Sequence, residues 1–142
     1  MKTLIIFLLS IHILNAQWTK VDLPNTITAQ SLLVDGNTLY VGGDSSIYYT
    51  TDGNTWNESS NIGEMYEGVT ALIKINNRIF AGSFTHGVYE STDNGNSWID
   101  RNVGLPAPAQ VVEELVVRGN HLHAATLGEG VYQYDVNNTN QR

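Results

Sequence analysis

The chain contains no cysteine. That excludes disulfides, thiolate metal centres and cysteine nucleophiles, so stability must come from packing. An exported protein without disulfides fits a bacterial envelope or extracellular setting better than a small eukaryotic secreted domain. Basic residues are also few: seven Lys and Arg stand against 14 Asp and Glu, for a net charge of −7. The bases are scattered rather than clustered, so neither nucleic acid nor an anionic membrane surface is expected as a partner. Helical periodicity is absent, and so are long apolar runs beyond residue 16. The apolar stretch Leu4 to Leu14 is too short for a bilayer, which takes about twenty residues. With Met1-Lys2 before it and Leu14-Asn15-Ala16 after it, residues 1–16 read as a secretory signal peptide. Its removal would leave no membrane segment. The expected location is therefore secreted, periplasmic or cell-envelope.

What the chain does have is repetition. Residues 50–56 read TTDGNTW and residues 91–98 read STDNGNSW. An interval near forty residues with a hydroxyl–Asp–Gly–Trp signature marks a β-repeat architecture. Short apolar runs fall at 32–34, 72–74 and 115–117. Each is followed by a Gly/Asn turn: Asp35-Gly36-Asn37, Asn76-Asn77 and Gly119-Asn120. Such turns between apolar segments predict hairpins, because Gly and Asn accept positive φ. Second strands are predicted at 39–42, 79–82 and 122–125, and third strands at 47–49, 87–89 and 130–132. Fourth strands should start at Trp56 and Trp98. Residues 111–118 could be read as a short helix, but their β-branched content and their alignment with the other first strands favour a strand.

Residues 17–21, QWTKV, match the fourth-strand pattern. The mature chain then runs fourth strand, first, second, third, in units 17–51, 56–91 and 98–136, with a polar tail at 137–142. That order would let the N-terminal strand complete the last unit and close an open sheet edge. The expected fold class is all-β: three four-stranded antiparallel propeller blades. Three blades leave two faces uncovered. The expectation is an incomplete ring with further blades missing, or half of a six-bladed homodimer.

The two motifs resemble the Asp-box, or BNR, repeat of sialidase-like β-propellers, Ser/Thr-x-Asp-x-Gly-x-Ser/Thr-Trp. Residues 91–98 match it fully, and 50–56 lack one residue between Asp52 and Gly53. The third unit keeps only Tyr134-Asp135-Val136. The resemblance spans roughly residues 17–136 and implies a fold more strongly than an activity. It implies a structural role for Thr50, Asp52, Gly53, Thr55 and Trp56, and for Ser91, Asp93, Gly95, Ser97 and Trp98. The aspartate accepts backbone N–H groups across the hairpin, the glycine allows a left-handed turn, and the tryptophan packs over it.

The resemblance also supplies tests for catalysis. Sialidases grip their substrate with three arginines beside a Tyr–Glu nucleophile pair and an acid Asp. Here Arg78, Arg101 and Arg118 are scattered, and Arg78-Ile79 is followed by Phe80 rather than proline. No catalytic residue is assigned. His121 and His123 share one side of a strand, a spacing that can bind zinc. However, His123 aligns with Tyr40 and Phe80, which marks a packing position, so no metal or cofactor is expected. A ligand face, if present, should lie on the loops, where Glu64, Tyr66, Glu67, Phe84, His86 and Glu129 would gather. Aromatics beside carboxylates suit sugars or peptide segments. The expected function is a non-catalytic exported module that binds protein or glycan. The alternative is a partial or degenerate glycoside hydrolase of the same fold.

Overall fold

The computed structural model describes residues 17–24, 27–59 and 68–138. Eleven strands make up nearly all of its regular structure, in three antiparallel sheets ordered along the chain. Sheet 1 holds β1 (Ser31–Asp35), β2 (Thr38–Gly42), β3 (Ile47–Thr50) and β4 (Asn57–Glu58). Sheet 2 repeats the order with β5 (Val69–Ile75), β6 (Arg78–Ser83), β7 (Val88–Ser91) and β8 (Ile99–Asp100). Sheet 3 holds β9 (Val112–Arg118), β10 (His121–Thr126) and β11 (Gly130–Asp135). A short 3₁₀ turn at Ala107–Gln110 leads into β9. The segment open to a helical reading is thus a strand.

The local chemistry explains the hairpins. Each β1–β2-type turn carries one left-handed residue: Gly36 at φ 58°, Asn76 at φ 55° and Gly119 at φ 60°. These are the residue types that tolerate that region without a Cβ clash, or with a compensating local hydrogen bond. The turns fix register, and register fixes which side chains face the neighbouring sheet. In sheet 1, Leu33, Tyr40 and Tyr49 are cross-strand partners on one face. In sheet 2 the corresponding row is Ile73, Phe80 and Glu90.

Sheet 2 lies between the other two. Tyr40 and Ile47 pack with Val69, Ile79 and Ala81 at the first junction. Phe80, Val88 and Ala71 pack with Val112, Leu115, Leu122 and Ala124 at the second. A strand glycine makes each close approach possible. A Cβ on Gly42 would lie 2.8 Å from Val69 Cβ, and one on Gly82 would lie 2.7 Å from Val112 Cγ1. Side-chain bonds reinforce the stacking. Ser31 Oγ donates to Val69 O at 2.7 Å, Thr70 Oγ1 donates to Val112 O, and Lys74 pairs with Asp35.

One expectation is corrected. Residues 17–21 form no strand, and Trp18 is fully exposed at 103%. Sheet 3 therefore has three strands among the described residues, not four. The reason is geometric. The N-terminal segment leads into β1 of sheet 1, while the open edge of β11 belongs to sheet 3, with sheet 2 between them. A row of three sheets does not bring those ends together. The three tryptophans consequently differ: Trp56 and Trp98 are half-buried and Trp18 is not. The signal-peptide reading of 1–16 falls outside the described residues. Of the polar tail, Asn137 and Asn138 are described, and both backbone N–H groups turn back to donate to Asp135.

Candidate functional site

The two motif hairpins sit at the β3–β4 and β7–β8 turns, at the same end of the sheets as the β1–β2-type turns. Thr50 Oγ1 accepts from the Gly53 N–H at 2.9 Å, and Asp52 Oδ1 accepts from the Asn54 and Thr55 N–H groups at 2.8 and 2.7 Å. In the second hairpin Ser91 Oγ accepts from the Gly95 N–H at 2.8 Å and donates to Asp93 Oδ1 at 2.8 Å. Asp93 Oδ1 also accepts from the Ser97 N–H at 2.8 Å, and its Oδ2 from the Ser97 hydroxyl at 2.6 Å.

Hydrogen bonds that favour the ionised form depress an acid. Those from Ser97 and then Ser91 hold Asp93 down to about 2. The Thr55 and Asn54 amides, with the Thr55 and Thr50 hydroxyls, hold Asp52 well below the carboxylate range. Both carboxylates are thus charged near neutrality and accept several hydrogen bonds within their own hairpins. Neither can act as a general acid there, since that work needs a proton held near the working pH.

The second hairpin also reaches out of its own sheet. Trp98 Nε1 donates to Ser59 Oγ at 2.9 Å and to Gly95 O at 3.2 Å, while the Tyr40 hydroxyl donates to Asn94 O at 3.3 Å. Ser59 Oγ donates to Gly95 O. Ser59 and Tyr40 belong to the first repeat, so the hairpin clasps the preceding sheet. In the third unit Val136 is buried in the core cluster, and Asp135 accepts from the Asn137 and Asn138 amides that follow it.

The loops after β2, β6 and β10 lie at the opposite end. Phe84, Thr85 and His86 form the second of them. The His86 N–H donates to Ser83 Oγ at 2.7 Å, and Thr85 Oγ1 lies 2.7 Å from His86 Nδ1. Asn102 Nδ2 donates to His86 O at 2.8 Å, and Asn102 Oδ1 accepts from the Val88 N–H at 2.7 Å. This bracing leaves Phe84 41% exposed. Glu129 is exposed in the β10–β11 turn and makes no hydrogen bond or ion pair with Phe84 or His86 among the described residues. Glu64, Tyr66 and Glu67 lie outside the described residues. The anticipated six-residue face is therefore represented by one rigid aromatic loop and one acidic turn at a shared end.

A charge cluster that sequence reading missed lies between sheets 2 and 3. Glu90 is 2% exposed, yet it receives hydrogen bonds from Arg78 Nε and Arg101 Nε, one on each oxygen. Burial pushes its carboxyl up, but the two guanidiniums outweigh that and hold it below the usual range. Arg78 also donates to Val136 O, just past β11, and lies over the Phe80 ring, 5.3 Å from its centroid. Bonded on both sides, Glu90 is a structural anion rather than a proton donor. The available signal was Glu90 standing where the other repeats place Tyr49 and Gln133. Beside it, a cleft of about 150 Å³ is lined by Arg101, Leu105, Ala124, Tyr132, Gln133 and Tyr134, among others.

His121 and His123 lie with ring centroids 6.5 Å apart and planes tilted by 50°, and His123 Nε2 lies 3.1 Å from Gln133 Oε1. No group of three or more His, Asp or Glu positioned for a metal occurs among the described residues. No helix there is long and apolar enough to cross a membrane.

The DUF6242 beta propeller domain family model matches residues 8–112. No curated protein matches in sequence. Among solved structures, the computationally designed Ika8 protein is similar at 14% identity with a TM-score of 0.61, covering 76% of this chain and 33% of that one. The extracellular domain of a protein described as a hybrid two component system from B. thetaiotaomicron is similar at 12% identity and TM-score 0.62, covering 80% of this chain and 17% of that one. These likenesses concern the fold. The chain spans a third or less of the length of both structures.

Proposed function

The chain belongs to the DUF6242 beta propeller domain family, and from that premise we propose that it is an exported, non-catalytic module that binds a glycan or protein segment on its loop end. The observation that carries this reading is the state of its carboxylates. Asp52, Asp93 and Glu90 are all consumed by hydrogen bonds that keep them ionised, so the best-ordered acids serve structure. Phe84, by contrast, is presented outward on a loop whose backbone is tied down by Ser83 and Asn102. A rigid exposed aromatic loses little conformational entropy on contact and stacks well on a sugar face or an apolar side chain. The hairpin geometry supports the Asp-box likeness, in which the box lies on the end away from the ligand. Export is supported by the N-terminal pattern of residues 1–16 and by likeness to an extracellular domain.

The test is a glycan array and a pull-down with wild type and Phe84→Ala, run beside a panel of fluorogenic glycosides. Binding lost in Phe84→Ala without glycoside turnover is the expected result. Turnover abolished by Glu64→Gln or Glu67→Gln would replace this reading with the partial glycoside hydrolase.

A further inference from the structure

Two sheet faces have no neighbouring sheet among the described residues, and they match each other. In sheets 2 and 3, one cross-strand row on the face turned toward the preceding sheet is Leu72–Ala81–Tyr89 and Leu115–Ala124–Tyr132. Both rows are packed by that preceding sheet. The equivalent row of sheet 1 is Leu32–Val41–Tyr48. Val41 and Tyr48 are buried, but Leu32 is 65% exposed and its neighbour Val34 68%. On the outer face of sheet 3, Val116 and Val131 are exposed where Leu33 and Ile47 of sheet 1 pack inward.

We propose that these faces are the two halves of one further junction, filled by a second copy of this chain stacked head to tail. Side-chain size argues for that occupant. Both internal junctions set a glycine of the second strand against a valine of the next sheet, Gly42 against Val69 and Gly82 against Val112. Register puts Ala125 at the glycine position of sheet 3, since it pairs with Val131 as Gly42 pairs with Ile47. The valine position, three before Leu72 and Leu115, is held in the first repeat by the exposed Ala29. The Gly/Val pair thus becomes Ala/Ala: one side grows as the other shrinks. That compensation is useful only where Ala125 meets Ala29, and sheet 2 keeps them apart within one chain. Close packing rewards such matched volumes and penalises a methyl too many.

A polar group points the same way. Trp98 Nε1 finds its acceptor, Ser59, on the preceding sheet. Trp56 Nε1 is buried and has no partner among the described residues. A preceding sheet would place polar groups beside it, as sheet 1 does for the second hairpin through Ser59 and the Tyr40 hydroxyl. Buried N–H groups are costly to leave unpaired. Two such junctions related by a two-fold axis form a closed pair, with no open sheet face left over.

Sedimentation equilibrium on the full chain tests this. The expected mass is twice that of one chain. Ala29→Val should weaken the pair by about tenfold or more, because valine then faces Ala125 rather than glycine. Ala29→Val with Ala125→Gly should restore it, recreating the internal Gly/Val fit, and circular dichroism should show all variants folded. A single-chain mass at about 100 µM, growth past two chains, or an Ala29→Val pair as tight as wild type would each overturn the proposal.

Discussion

Trp98 Nε1 donates to Ser59 Oγ at 2.9 Å across 39 residues of chain. A motif that reads as a local turn is therefore also a link between repeats, its own bonds setting the hairpin and its indole reaching the sheet before it.

That link should be measurable as a coupling. Trp98→Phe removes the donor but keeps most of the ring, and Ser59→Ala removes the hydroxyl that serves both Trp98 and Gly95. Each is expected to cost about 1–2 kcal/mol of unfolding free energy. In a double-mutant cycle from denaturant melts, the pair should be non-additive by at least about 0.5 kcal/mol. Strict additivity would mean that the bond does not hold the sheets together.

Asp93 makes a pH prediction with a definite sign. Its pKa is about 2 in the fold against an ordinary 3.8. A depressed acid stabilises the fold above its unfolded pKa, and that contribution fades as pH falls toward the folded value. Wild type should therefore be more stable than Asp93→Asn at pH 6, with the gap shrinking between about pH 4 and pH 2. Thermal melts across that range report it, and a gap that does not change with pH would refute the role.

Glu90 is the most consequential charge to remove. Glu90→Gln would leave Arg78 and Arg101 half-buried with a neutral partner. Breaking one member of a buried charge cluster costs about 3 kcal/mol or more. The loss should persist at high salt, since burial shields the cluster from screening. Urea titrations at low and high ionic strength would show it, and an effect that disappears in salt would mark the cluster as a surface feature.

Gly82 tests the close stacking of sheets 2 and 3. Gly82→Ala sets a methyl against Val112, at a predicted cost of about 1–3 kcal/mol. Adding Val112→Ala should recover part of that loss by making room, although it creates its own deficit. A Gly82→Ala protein as stable as wild type would show that the sheets can separate freely.

The hairpins were legible because their causes are local. Short apolar runs marked β1, β5 and β9, Gly36 and Gly119 marked the turns, and the hydroxyl–Asp–Gly–Trp spacing marked the reversals at Asp52 and Asp93. The same reasoning extended the Trp18 pattern to a fourth strand that the structure does not contain. A tryptophan in sequence context does not say whether a strand edge lies within reach. Glu90 was overlooked for a related reason: its partners are Arg78 at the start of β6 and Arg101 just past β8, brought to it only by cross-strand register.

From the sequence alone came an all-β chain of three repeats with tight turns, because backbone preference and side-chain alternation act over a few residues. Only the tertiary structure decided which sheet each hairpin clasps, that Glu90 is buried between Arg78 and Arg101, and that Leu32 and Val131 face outward. Those outcomes depend on how separate sheets stack, and stacking is settled by volume, burial and register between residues some forty positions apart.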